Sequence, residues 1–136
     1  MKATTKKIIK TLTPAQVQKK WIKALRSEKY EQGRYVLRSS NGFCCLGVLC
    51  DLAVKAKVIP KPTVDDYYGY IYGKTGDSNG SLLPRAVKRW AGLNSQNGSY
   101  EEDGVPCSLD ELNDYGMPFA KIASIIESKP QDLFVK

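Results

Sequence analysis

Near the start of the chain, apolar residues recur at helical spacing. Val17, Trp21, Ile22, Ala24 and Leu25 share one face at 100° per residue, with Lys19, Lys20, Lys23 and Arg26 on the other. Thr13-Pro14-Ala15-Gln16 supplies the start: Thr as cap, Pro at the first helical position, Gln completing a capping box. The pattern predicts a helix to about Ser27. Tyr30 to Gly33 reads as a turn, Arg34 to Arg38 as a strand, and Ser39-Ser40-Asn41-Gly42 as a hairpin connector. Phe43 to Leu46 then reads as a short return strand passing into a helix from about Gly47 to Val58. Asp51 and Lys55 form its only charged stripe before Lys57, so that helix should be central and buried. Pro60 and Pro62 end it.

Tyr67 to Tyr72 is aromatic and strand-like, with Tyr68, Tyr70 and Tyr72 on one face by alternation. Residues 73–80 read as a loop, and Pro84 to Trp90 as a short helix closed by Gly92. Residues 94–107 read as a polar, acidic loop. Ser108 with Glu111 forms a second capping box, and Pro118 opens a last helix carrying Phe119, Ile122, Ala123, Ile125 and Ile126 on one face. Residues 1–12 form a basic arm, with Ile8, Ile9 and Leu12 a candidate edge strand. The expectation is one α+β domain over residues 13–136, with three to four helices packed on a short antiparallel sheet.

The bulk numbers narrow this. A chain of 136 residues, 42% apolar and 26% charged, fits one globular domain with its own core. No stretch approaches the roughly 18 apolar residues of a membrane span, and no signal-peptide core follows the first lysines, which predicts a cytoplasmic protein with no membrane partner. Cys44, Cys45, Cys50 and Cys107 contain no CxxC pair, and three sit in one apolar run, so they read as core residues rather than zinc ligands. The net charge of +7 is uneven: residues 1–40 hold 11 basic against 2 acidic side chains, residues 101–136 hold 3 against 8. Either a basic face awaits an anionic partner, or the two ends fold together, within one chain or across a homo-oligomer.

The chain has no histidine, which removes the Ser-His-Asp and Cys-His arrangements. Gly73-Lys74-Thr75 ends like a phosphate-binding P-loop, but Gly69 lies too close, and Gly76 to Gly80 forbids the helix that motif needs. Looser contact of that loop with a phosphate stays open. Asp65-Asp66 and Glu101-Glu102-Asp103 read as solvated loop acids, since paired carboxylate catalysis needs two different environments. The tyrosine row is either a stacking platform for bases or a half-buried sheet face. Arg34 and Arg38, at i and i+4 of the expected strand, share a face and suit a phosphate.

Three stretches carry a resemblance. They are Trp21 to Arg26 leading through Gln32-Gly33 to Phe43-Cys44-Cys45-Leu46-Gly47-Val48-Leu49-Cys50-Asp51-Leu52, then Leu82 to Leu93, then Leu112-Asn113-Asp114 to Glu127. With these, the chain resembles a family of small proteins encoded by tailed bacteriophages and, as prophage genes, by bacteria. The resemblance implies a phage accessory product acting in the host cytoplasm, of the kind that counters host defences. The leading expectation is a non-catalytic, cofactor-free protein that sequesters a nucleotide-type anion. In it Arg34 and Arg38 take phosphates, Tyr70 or Tyr72 stacks on a base, and Asn113 and Asp114 read base or ribose edges. The alternatives are DNA or RNA binding through Lys19, Lys20, Lys23 and Arg26, or inhibition of a host protein through the acidic loop 94–107.

Overall fold

The computed structural model describes residues 11–67 and 69–136. The expected N-terminal arm up to Lys10, with Ile8 and Ile9, lies outside the described residues, as does Tyr68. Helix α1 spans Pro14–Arg26 and opens with the expected reciprocal capping box between Thr13 and Gln16. Its buried face is Val17, Gln18, Trp21 and Leu25. Helix α2, Cys45–Lys55, is the centre of the core: Cys45 to Cys50 and Ala53 are all buried. Helices α3 (Arg85–Ala91), α4 (Leu109–Asp114) and α5 (Phe119–Ser128) complete the helical set. α1 packs on α5, α3 and α2, and α2 packs on α4. Gln18 Nε2 donates to the Ala91 carbonyl at 2.8 Å, and Trp21 Nε1 to that of Cys45 at 3.0 Å, so buried polar atoms as well as apolar area fix α1.

Among the described residues, six short strands pair as three separate antiparallel ladders. β1 (Arg38–Ser39) pairs with β2 (Gly42–Phe43), β3 (Thr63–Asp65) with β4 (Gly69–Ile71), and β5 (Ser99–Glu102) with β6 (Val105–Ser108). The class is α+β, as expected, but among the described residues five helices and three small sheets stand where three to four helices and one sheet were predicted.

The differences have local causes. The strand expected over Arg34–Arg38 is mostly absent because Tyr35 adopts φ +73°, a left-handed conformation that breaks strand alternation. That bend turns the Tyr35 N–H to Asp114 Oδ1 at 2.8 Å, and brings the Leu37 N–H to the Gly80 carbonyl at 2.8 Å. α2 begins two residues earlier than predicted, because Cys44 caps it through its sulfur, and ends at Lys55. The stop is a Schellman arrangement: Val58 N–H meets the Ala53 carbonyl, Lys57 N–H that of Val54, and Lys57 takes the left-handed φ of +65°. The acidic stretch 94–107 is a loop only over residues 94–98; the rest is a hairpin. Asp103-Gly104, at φ +53° and +81°, makes a two-residue turn that folds β5 onto β6. The capping box expected at Ser108 does not form. Ser108 ends β6 with extended backbone, and its buried hydroxyl has no hydrogen-bond partner among the described residues.

One close approach sets the geometry around α2. A Cβ on Gly47 would lie 1.8 Å from the Leu37 carbonyl oxygen, which already accepts the Cys44 N–H at 3.0 Å. The glycine inside the Phe43–Leu52 string is therefore a contact surface for backbone. Gly47→Ala is expected to cost at least about 3 kcal/mol, read as a lowered urea midpoint, because backbone rather than a flexible side chain must move.

Candidate functional site

The six residues expected to share one ligand fall into two groups with different roles. Asn113 is fully buried. Its Oδ1 accepts from Gln32 Nε2 at 2.8 Å and from the Cys45 N–H at 3.1 Å, while its Nδ2 donates to the Gly33 carbonyl at 2.8 Å. Gln32 Nε2 also reaches the Met117 carbonyl at 2.8 Å. Asn113 thus ties three chain segments together, and no edge of it faces a ligand. Asp114 is half-buried and occupied by the Tyr35 N–H; Arg34 is exposed, with Nη2 lying against Gly116. Asn113 and Asp114 are thus structural, tying separate segments together, while Arg34 lies exposed beside them. Arg34 and Arg38 do not share a strand face, since the intervening backbone bends at Tyr35.

Arg38, Tyr70 and Tyr72 do come together. The ladder registers Arg38 opposite Phe43. The guanidinium carbon sits 4.6 Å from the Phe43 ring centre and 4.1 Å from that of Tyr70, in cation–π contact with both rings. Tyr70 therefore spends one face on Arg38. Tyr72 lies just past β4, bridged to Asn79, and is fully buried. Among the described residues, its hydroxyl closes no hydrogen bond of ordinary geometry. Burial pushes Tyr72 up to about 12. The positive charge of the neighbouring Arg38 opposes that shift. Tyr72 is no base-stacking platform, because a ring with no exposed surface offers no face.

All four residues of the alternative reading line open grooves. Lys19, Lys23, Arg26 and Lys29 line one beside α5, and Lys20, Lys23, Lys29 and Lys55 line another beside α2. The two share Lys23, Ser27 and Lys29. A third groove, meeting the second at Lys55, adds Lys57, Lys61 and Lys74. Nine basic residues line this connected track, and Glu127 is the single carboxylate. Glu127 is held by Arg26 at 2.8 Å, an exposed pair with little net value for stability. Within the track, Tyr30 donates its hydroxyl to Asp51, Lys55 Nζ reaches Asp51 at 3.2 Å, and the Tyr30 ring packs edge-on against Phe43 at 5.0 Å.

The sequence reading found the α1 lysines and missed Lys29, Lys55, Lys57, Lys61 and Lys74. No linear motif connects them; three separate segments bring them to one face. The glycine-rich loop 73–80 does not present a phosphate cradle. Its own Asp77 accepts the Arg85 and Ala86 N–H groups at 2.8 and 3.2 Å, filling the start of α3 with a carboxylate. Cys44, Cys45 and Cys50 are buried. Desolvation pushes Cys44 up to about 12 and the other two well above their ordinary value, so these thiols stay protonated and are poor nucleophiles. Among the described residues, no group of three or more His, Cys, Asp or Glu could hold a metal ion. No described helix is long and apolar enough to cross a membrane.

Two outcomes follow from this chemistry. Asn113→Ala strands the Cys45 N–H and the Gly33 carbonyl in the interior and is expected to cost about 3 kcal/mol in urea unfolding. Asp114→Ala, freeing one exposed N–H, should cost about 1 kcal/mol. Stability should also fall in alkali. Cys44 and Tyr72 have ordinary values of 9.0 and 10.0 and are raised to about 12 in the fold. The unfolded chain then binds fewer protons above pH 9, so stability is complete below pH 9 and declines as pH rises towards 12. Thermal midpoints between pH 7.5 and about 11 should show this, and Tyr72→Phe should flatten the part above pH 10.

No curated protein matches the chain, and no solved structure matches it. A family profile does, over residues 14–130, from the start of α1 to just beyond α5. The chain belongs to the family described as a domain of unknown function, DUF8296.

Proposed function

We propose that this protein is a non-catalytic binder of nucleic acid that uses the lysine track along α1 and the end of α2 to hold the phosphate backbone. The observation that carries this is the continuity of the three grooves, with nine basic side chains against one carboxylate that is already paired. Solvated surface charge usually comes with both signs interspersed. With only Arg26 and Lys55 in ion pairs among its described residues, the run stays weakly compensated until a polyanion replaces the counterions around it. Lys19 and Lys23, at i and i+4, stand one above the other on the exposed side of α1. Tyr30 is pinned by Asp51 and Phe43, so the track offers charge without a free stacking ring, which favours backbone contact over base recognition.

The resemblance to small tailed-phage proteins supports an accessory role in the host cytoplasm, with counter-defence as its purpose. Sequestration of a free nucleotide by the six residues together has less support, because Asn113 and Tyr72 are sealed in the interior. Inhibition of a host protein through residues 94–107 would use the β5–β6 hairpin and its acidic tip instead.

The test is binding of a labelled duplex of about 20 base pairs and of a single strand of equal length, titrated between 50 and 200 mM salt. Binding should weaken linearly on logarithmic axes. The triple variant Lys20→Gln, Lys23→Gln, Lys55→Gln should reduce the duplex slope by about 2.7, at roughly 0.9 per phosphate contact. Salt-independent binding, or an unchanged slope in the variant, sinks the proposal.

A further inference from the structure

We propose, on the nucleic-acid reading above, that Tyr35 and Tyr115 form a base-stacking platform where α5 leads away from the lysine track, so that the preferred ligand is a single strand. The two tyrosines lie far apart in the chain. The Tyr35 N–H donates to Asp114 Oδ1 at 2.8 Å, which sets Tyr115, the next residue, on the adjoining surface. Their relative exposures are 71% and 85%, and among the described residues neither ring is in contact with another ring or a cation. A base stacks on an open aromatic face, and the contact tolerates any sequence because every base has a π-face. Single exposed apolar residues are ordinary; two aromatic residues drawn together from distant segments make a surface.

Folding gives no account of the Tyr35 ring. Its backbone adopts φ +73°, where a bulky side chain is an outlier and glycine would sit without strain. The bend needs that conformation and not the ring, and a mostly exposed ring returns little burial in exchange. Strain kept at such a position points to function. Arg34 completes the surface. It is exposed, its Nη2 lies 3.0 Å from where a Cβ on Gly116 would stand, and among the described residues it closes no ion pair. Its guanidinium suits a phosphate beside the stacked bases.

Helix α5 joins this surface to the track. Arg26, in the track, reaches Ser124 at 3.3 Å and Glu127 at 2.8 Å. Ala120, Ser124 and Glu127 form one exposed stripe at helical spacing, with Lys121 exposed alongside. Glu127 is the only acid of α5 and is already paired with Arg26. From Glu127 back to Phe119 the helix runs about 12 Å, at 1.5 Å per residue. Gly116, which Arg34 flanks, lies just before that start. A few extended nucleotides cross this distance, with phosphates in the track and bases on the rings. A duplex hides its base faces within its own stack, so the platform selects an unpaired strand.

Three labelled probes of equal length test this at matched salt: an oligothymidylate, an abasic strand with the same phosphates, and a duplex. The oligothymidylate should bind roughly tenfold to a hundredfold tighter than the abasic strand. The double variant Tyr35→Gly, Tyr115→Ala should erase that ratio while leaving the salt slope and duplex affinity unchanged. Its thermal midpoint should stay close to the parent's, since relief of strain at residue 35 offsets the added freedom of glycine in the unfolded chain. Tyr115→Ala alone, at an exposed position, provides a second folded variant and should lower the ratio several-fold. The triple lysine variant should reduce the slope and keep the ratio. Equal binding of the oligothymidylate and abasic strands, or a ratio unchanged in both tyrosine variants, overturns the platform and leaves the track standing; the latter is the outcome if the rings serve a protein partner. Salt-independent binding of all three probes overturns the track itself.

Discussion

The side-chain amide of Asn113 is closed off from solvent, and both acceptor positions of its oxygen are filled from elsewhere in the chain, one by Gln32 and one by the first N–H of α2. Its amide nitrogen holds the Gly33 carbonyl. A buried amide left half-paired would cost more than these bonds return, so the arrangement forms almost completely or not at all. Much of the rest depends on it. With residues 32–33 fixed against α2 and α4, the chain must bend at Tyr35 to let Leu37 lie across Gly47, and that bend delivers Arg38 between Phe43 and Tyr70. Two loops and two helix ends therefore share one anchor, and the aromatic clamp is held by an interaction on a different element from its own.

Charge is organised by the same packing. α1 and α5 lie side by side, and their contact brings one acidic residue of the C-terminal part, Glu127, to Arg26. The remaining C-terminal acids do not neutralise the basic N-terminal part: Glu101, Glu102 and Asp103 are carried out on the β5–β6 hairpin, and Asp110 and Glu111 begin α4. The lysines of α1 thus keep an open face, extended by Lys55, Lys57, Lys61 and Lys74 around the end of α2. Of the two readings of the charge asymmetry, the folding of the chain's ends against each other is seen in part, along the α1–α5 pair.

Local signals were legible where the residues that decide an element lie within a few positions of one another. The capping box at Thr13, the αL glycine after α3 and the apolar face of α5 are of that kind. The Asp103-Gly104 turn was equally local, and the hairpin escaped notice because its strands are short and polar on their exposed faces, which reads as loop. The Ser108 box failed for the opposite reason. Its sequence pattern is sound, but pairing with Ser99 holds Ser108 in a strand conformation, and a ladder bond outweighs a cap.

What the sequence determined by itself was the α+β class, the amphipathic first helix, the buried cysteine-rich helix and the absence of histidine chemistry. Each follows from periodicity, capping chemistry or residue type, which act over a turn or two of chain. Tertiary structure decided which candidate residues meet. Asn113 and Tyr72 entered the interior because their partners come from segments dozens of residues away. The lysine track exists because α1, the end of α2 and loop 73–80 converge, and the Arg38 clamp because β1 passes β4. Burial and charge convergence are properties of contacts between distant segments, and linear spacing carries no record of those contacts.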